Sequence, residues 1–194
     1  MKSAKFLWIL SSLLINVIII IYIYLRSQAP AGELERMAHL QENWAIWSGH
    51  WKAEFIIMSL MAVAAFYFAT QFRSLAWSVI SVGMFIILLL YPIMLGGYKQ
   101  TPPEIFRMAN QMSIIVFTFG NVVFLGGLLL LYAQDQILPK WLRGLALLLA
   151  IISGGAFSLA FLDVIDWKQA LITAPLVNVL YLINAYHGYR LPSS

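Results

Sequence analysis

The segment 107–121 carries polar side chains on one face of a predicted helix. Asn110, Gln111, Thr118 and Asn121 follow Arg107 at spacings that place all five on a common helical face. At 1.5 Å per residue the stripe covers ~21 Å along the helix axis. Because lipid would leave these groups unsatisfied, we expect them to face the interior of a helix bundle. There they either form hydrogen bonds between helices or line a path for a ligand or an ion.

Three carboxylates are predicted to lie near Arg107, at the head of this polar stripe. Glu54 opens the second apolar run of the chain, and Asp163 and Asp166 follow the fifth. We expect Asp163 to pair with Arg107 from a neighbouring helix. The pair would be either a salt bridge that ties helix ends together or part of a ligand pocket or proton-handling site.

Other catalytic and metal-binding chemistry has little support in the sequence. His50 and Glu54, and also Glu35 and His39, are four residues apart and could each supply two metal ligands, but no third ligand stands nearby. The chain has no cysteine, and no nucleophile motif surrounds its serines. We therefore predict no metal, no cofactor and no catalytic residue. Whether the protein is an enzyme stays open, and we favour a non-enzymatic role.

These residues belong to a chain that is too apolar for a soluble domain. It has 194 residues, of which 62% are hydrophobic and 10% are charged, whereas soluble domains carry about 25% charged residues. Six charge-free runs approach or exceed the ~18–20 residues that a helix needs to cross a bilayer. They predict a single all-α membrane domain over residues 1–194, a polytopic protein with spans at about 6–25, 54–72, 74–98, 107–134, 143–162 and 168–188.

Six crossings would sort the acidic residues to one side of the membrane. Of the 8 acidic residues, only Asp135 falls on the other side. The basic residues divide evenly and decide no orientation. We expect the first span to be uncleaved and the N-terminus, which carries Lys2 and Lys5, to be cytoplasmic. The basic residues are also scattered singly, so they do not indicate nucleic-acid binding.

The connection between the first two spans predicts an amphipathic interfacial helix at about 33–48. Apolar side chains recur at spacings of three and four residues along this connection, namely Met37, Leu40, Trp44, Trp47 and Trp51. A tryptophan-rich stripe is suited to the headgroup region of a bilayer. The helix would be a membrane anchor, a lid over a cavity between the spans, or a surface that binds a partner.

Prolines and small residues predict how the spans bend and pack. Pro92 and Pro175 fall inside the third and sixth spans and predict kinks. Small residues recur every seventh position in the fourth span and every fourth position in the fifth, which predicts close helix packing. They are Ser113, Gly120 and Gly127, and then Ala146, Ala150, Gly154 and Ser158.

The turn between the fourth and fifth spans carries a family resemblance. It reads Ile137-Leu138-Pro139-Lys140-Trp141-Leu142-Arg143-Gly144, within residues 126–155. This stretch resembles the same junction in a family of bacterial six-helix membrane proteins defined only as a domain of unknown function. The similarity covers about the last four helices and does not include the tryptophan-rich connection. It implies a six-helix protein of the bacterial inner membrane, and it supplies no reaction, ligand or catalytic residue.

These observations predict a multi-pass protein of the inner (plasma) membrane that binds a lipid-like or other small ligand, or a partner membrane subunit, through its outer half. A second copy of the chain is another expected partner besides the bilayer. One alternative is a small transporter or ion-coupled carrier that uses the polar stripe and Asp163. Another is a membrane-embedded enzyme that uses the outer carboxylates. The predicted ligand-binding residues are Glu54, Arg107, Asn110, Gln111, Asn121, Asp163, Asp166, Trp47 and Trp51.

Overall fold

The structure, a computed structural model, describes residues 1–99 and 102–192, and the regular elements of these residues are helical. The α-helices in this part of the chain are α1 (Lys2–Gln28), α2 (Glu33–Glu42), α3 (Trp44–Phe72), α4 (Leu75–Leu88), α5 (Leu90–Gly97), α6 (Pro103–Gln134), α7 (Lys140–Phe161), α8 (Trp167–Ala170) and α9 (Ala174–Arg190). A 3-10 turn at Leu171–Thr173 joins α8 to α9.

Six helical segments in the described part of the chain are long and apolar enough to cross a membrane. Four of them are the single helices α1, α3, α6 and α7. The other two are composite, because α4 and α5 together cover Leu75–Gly97, and α8 to α9 cover Trp167–Arg190. The prediction of an all-α fold with six such segments is confirmed.

The connection after α1 differs from its prediction. The helix expected over residues 33–48 ends at Glu42, and the second long helix begins at Trp44 rather than near residue 54. Asn43 separates the two helices, and its Nδ2 donates a hydrogen bond of 2.8 Å to the carbonyl of His39. Such local bonds compete with helix continuation. The apolar spacing runs unbroken across Asn43, so it did not reveal this boundary.

Both prolines interrupt their helices as predicted. Pro92 has no N–H to donate to the carbonyl of Leu88, four residues earlier, and α4 ends at Leu88. Pro175 likewise cannot donate to the carbonyl of Leu171. That carbonyl accepts from the N–H of Ala174 instead, which gives the 3-10 turn before α9.

The long segments form a closed ring in the order α1, α3, α4–α5, α6, α7 and α8–α9, with α9 packed against α1. Helices α4 and α6 approach each other closely. A Cβ added at Gly83 would lie 2.4 Å from the backbone nitrogen of Phe124, and one at Gly127 would lie 2.6 Å from that of Ile80. The small residues of the fourth span therefore form a packing surface, because they let two helix backbones approach closely.

The bundle has two ends of different composition. The end that holds both chain termini, where Lys5 Nζ donates a hydrogen bond of 2.7 Å to the carbonyl of Leu191, is called the terminal face below. The other end, with α2, the region of Tyr98 and the turn after α7, is called the opposite face. Because the chain crosses the bundle six times, residues 73–74 and 135–139 lie on the terminal face.

Candidate functional site

A cleft in two adjoining parts opens on the opposite face, where α2 lies near the starts of α6 and α8. The parts have volumes of about 270 and 250 Å³, and both are lined by Arg36 and Lys168. The larger part is also lined by Glu33, Arg107, Asn110, Gln111 and Trp167. The smaller part is also lined by Arg26, Ala29, Pro30 and Ala31.

An ion pair holds α2 over the start of α6. Arg107 Nε donates a hydrogen bond of 3.0 Å to Glu33 Oε1, and the two side chains are 53% and 44% exposed. At this exposure the pair contributes only ~0–1 kcal/mol to stability. The pair joins α2 to the start of α6 at the mouth of the cleft.

A capping box places Trp167 and Lys168 at the cleft. Asp166 Oδ1 accepts the backbone N–H of Lys168 at 2.7 Å, and the Asp166 N–H donates to Gln169 Oε1 at 2.9 Å. This reciprocal arrangement satisfies the first free donors of a helix. Asp166 therefore starts α8 and is itself exposed.

Positive charge in the cleft is not balanced by carboxylates. Glu33 is paired with Arg107, and across residues 1–99 and 102–192 no carboxylate oxygen lies within 4.0 Å of Arg26, Arg36 or Lys168. Arg26 donates a hydrogen bond of 3.1 Å to the Tyr22 hydroxyl, and its guanidinium lies 5.3 Å from the ring of Trp167. The cleft therefore presents a cationic surface beside an indole ring.

Tyr98 supports the polar wall of the cleft from inside. Its hydroxyl donates a hydrogen bond of 3.2 Å to Asn110 Oδ1, and its ring packs against Trp51 and Phe106. Burial raises the pKa of Tyr98 above its ordinary value. The hydroxyl consequently stays protonated and keeps Asn110 in place.

Three of the predicted site residues, Arg107, Asn110 and Gln111, line the cleft together. The carboxylates predicted to join them do not. Arg107 pairs with Glu33 in the described structure instead of with Asp163. Asp163 is exposed in the turn after α7, with φ of 57°. Helix α2 packs against α6, and its Glu33 occupies the position beside Arg107 that was predicted for Asp163.

Asn121, Trp47 and Trp51 lie in the core and line neither part of the cleft. Asn121 is 5% exposed and donates a hydrogen bond of 2.8 Å to the carbonyl of Phe117 on its own helix. Trp47 and Trp51 pack on each other and against Tyr22 and Tyr98. The tryptophan stripe is thus the buried start of α3, where it packs between helices.

Glu54 lies apart from the cleft, among side chains from other helices. Its Oε2 is 3.8 Å from His50 Nε2 on the same helix. The hydroxyl of Tyr91 lies beside the carboxylate, and Tyr181 interacts with it electrostatically. These four residues, His50, Glu54, Tyr91 and Tyr181, are called the Glu54 cluster below.

A buried polar pair at the terminal face joins His187, which the sequence predicts to be a hydrogen-bonded histidine, to Asp135, a partner that was not predicted. His187 Nε2 lies 3.1 Å from Asp135 Oδ1, and the two side chains are each 2% exposed. Nearby, the Tyr132 hydroxyl donates to Asn184 Oδ1, and Trp8 Nε1 donates to the Asn184 carbonyl at 2.9 Å. The spacing of these residues was a sequence signal for the pair. Tyr132 and Asp135, at the end of α6, are three positions apart, and so are Asn184 and His187 on α9.

No protein-family model, curated protein or solved structure matches this chain. The resemblance at the turn around Pro139 therefore stays a prediction. In the structure this turn has a local role. Leu138 N–H donates to Asp135 Oδ2 at 2.8 Å, and Arg143 Nη1 donates to the Asp135 carbonyl at 2.7 Å. Two residues of the turn thus bind the residue that joins α6 to α7.

Proposed function

We propose that this chain is an integral membrane protein whose six long helices cross a bilayer and whose cleft binds the anionic headgroup of a lipid. The observation that carries this proposal is the cleft itself, where Arg26, Arg36 and Lys168 converge without a carboxylate partner within 4.0 Å in the described residues. Basic pockets between membrane helices bind anionic headgroups. Guanidinium groups suit phosphate because they donate two parallel hydrogen bonds.

The apolar outer surface of the bundle supports a lipid environment. Large hydrophobic side chains point outward all around the ring, and examples are Ile20, Leu75, Leu148 and Ile172, which are 64%, 70%, 54% and 76% exposed. Soluble monomers rarely expose contiguous apolar surface on this scale. A bilayer around the six helices would cover these side chains.

The size and position of the cleft suit a headgroup with its acyl chains outside. Each part of the cleft is smaller than the ~300–1,000 Å³ of typical small-molecule pockets. On the face of α6 next to the cleft-lining residues, Met108, Met112 and Ile115 form an exposed apolar strip. A phosphate bound by Arg36 and Lys168 would leave its acyl chains free to follow this strip. With a cytoplasmic N-terminus, which Lys2 and Lys5 favour, the cleft opens on the outer side.

The test is a lipid titration of the purified full-length chain in a neutral detergent. Phosphatidylglycerol binding is measured by native mass spectrometry for the wild type and for the double variant Arg36→Gln, Lys168→Gln. We expect the variant to bind about tenfold more weakly or worse, because it loses two charge-assisted contacts to the phosphate, and tenfold corresponds to about 1.4 kcal/mol.

The matched control is Lys52→Gln, Lys99→Gln, which removes the same charge from exposed positions that line neither part of the cleft. It should bind phosphatidylglycerol as the wild type does. The same titration is repeated with phosphatidylcholine and with inorganic phosphate. Both should bind to the wild type more weakly than phosphatidylglycerol does. Equal binding by the cleft variant, equal binding of phosphatidylcholine, or equally tight binding of free phosphate would each overturn the proposal.

A further inference from the structure

The Glu54 cluster places two protonatable side chains between the long helices, more than one turn inside the start of α3. Glu54 stands ten residues after the start of α3 at Trp44, which is ~15 Å along the helix axis. If the six segments cross a bilayer, this carboxylate lies within the membrane. The inference below rests on that placement and is independent of the lipid cleft.

His50 lies next to Glu54 without a hydrogen-bond partner of its own. It is 7% exposed, and neither of its ring nitrogens has a hydrogen-bond partner in the described part of the chain. Its separation of 3.8 Å from the carboxylate is too long for a hydrogen bond. The ring of Tyr22 on α1 stacks on the imidazole at 5.9 Å. A buried imidazole in this position is available to accept or donate a proton.

The groups that surround Glu54 carry no compensating positive charge. In residues 1–99 and 102–192, no lysine or arginine nitrogen lies within 4.0 Å of its carboxylate. The ionisable groups that face the pair from the packed elements are Tyr22 on α1, Tyr91 on α5 and Tyr181 on α9. An unpaired carboxylate in a membrane is costly. Binding a proton removes that cost.

We propose that His50 and Glu54 form a proton-binding site within the membrane, in which the hydroxyl of Tyr91 stabilises the carboxylate when the proton leaves. The proton passes from a hydronium ion to Glu54 Oε2 or His50 Nε2, so one O–H bond of the hydronium ion breaks as the new O–H or N–H bond forms. The Glu54 side chain is 23% exposed, whereas that of His50 is 3% exposed. The ligand of the Glu54 cluster is therefore a hydrogen ion.

Metal ions fit the cluster less well than a proton. A zinc site uses at least three protein ligands, and His50 and Glu54 supply two. Calcium and magnesium prefer six or more oxygen ligands, whereas one carboxylate and two phenol hydroxyls face this position. A proton requires only the two groups that are present.

The test is infrared difference spectroscopy of the full-length chain in phosphatidylcholine nanodiscs, between about pH 9 and about pH 5. We expect a band of a protonated carboxyl group in an apolar environment. Glu54→Gln should abolish this band, because glutamine cannot take up the proton. The matched control Glu104→Gln, at an exposed position, should retain it.

A second measurement uses the wild type alone, so that it does not depend on the folding of a variant. Labelling all glutamates with carbon-13 should shift the band, and labelling only aspartates should leave it in place. An unchanged band in a folded Glu54→Gln variant, a band that shifts with aspartate labelling, or a band that responds to sodium or zinc at constant pH would overturn the proposal.

Discussion

Asp135 follows the last residue of α6, and its buried carboxylate has several hydrogen-bond partners. Its carboxylate accepts the N–H groups of Leu138 and Ile137 at 2.8 and 3.2 Å and contacts His187 Nε2 at 3.1 Å. Burial raises the pKa of Asp135, but hydrogen bonds from His187 and the backbone outweigh that effect and lower the pKa below its ordinary value. The folded chain therefore holds Asp135 in its ionised form.

This depressed pKa predicts a stability that depends on pH. Asp135 stabilises the fold above the pKa of the unfolded chain, about 3.8, and this contribution is lost as the pH falls through the lower pKa of the folded state. We expect Asp135→Asn to lower the free energy of unfolding by ~1–3 kcal/mol at neutral pH, because buried donors lose their charged acceptor. The difference should narrow below about pH 4. Thermal unfolding in detergent across this pH range measures it.

Asp163→Asn is the matched control for that experiment. Asp163 is exposed with φ of 57°, a conformation that asparagine also tolerates. Its effect should stay within ~0.5 kcal/mol at every pH. The role given to Asp135 would be contradicted if the Asp135→Asn variant were as stable as the wild type. It would also be contradicted if the difference in free energy of unfolding between the two proteins did not become smaller below about pH 4.

The residues that line the cleft were only partly predictable from the sequence. Helical spacing placed Arg107, Asn110 and Gln111 on one face, and the structure puts all three in the cleft. Arg36 and Lys168 had no local signal to single them out. The position of Arg36 depends on α2 folding back over α6, a contact between residues more than seventy positions apart. Lys168 reaches the cleft because Asp166 begins α8 beside it. Periodicity reports the face of one helix, and it carries no information on which distant segment covers that face.

At the level of elements, apolar runs located the long helices but not their ends. Helix α3 begins ten residues before the predicted second span, because Lys52 interrupts the charge-free run without ending the helix. Proline gave sharper information. Pro92 and Pro175 removed specific N–H groups, and both composite segments break where those hydrogen bonds are missing.

The close contact between α4 and α6 predicts different effects for alanine substitutions at the adjacent residues Gly126 and Gly127. A Cβ at Gly127 would lie 2.6 Å from the backbone nitrogen of Ile80, whereas a Cβ at Gly126 would meet no atom within 4 Å. We expect Gly127→Ala to destabilise the fold by ~1–3 kcal/mol through overpacking. Gly126→Ala should be neutral or stabilise it by up to ~1 kcal/mol through helix propensity. Denaturant unfolding of both variants in detergent measures the difference.

This pair of variants tests the helix crossing itself, because the two substitutions add the same methyl group one position apart on α6. If both variants had the same stability, or if Gly126→Ala were the more damaging change, the close α4–α6 approach would be contradicted.

The whole molecule is a ring of six long segments with different chemistry at its two ends. The opposite face holds the cationic cleft, the Glu54 cluster lies within the bundle, and the terminal face holds the pair of Asp135 and His187. The number of segments was predictable because each is long and apolar. Closure of the ring was not, since it depends on contacts between the chain ends, such as Trp8 with Asn184 and Lys5 with Leu191.

The most direct test of the central proposal is an experimental structure of the full-length chain in nanodiscs that contain phosphatidylglycerol. We expect a lipid belt around the six long segments, with the terminal and opposite faces on different sides of the bilayer. We also expect an ordered phosphate within hydrogen-bond distance of Arg36 and Lys168. A cleft without a bound headgroup, or long segments that do not cross the bilayer, would contradict the proposal.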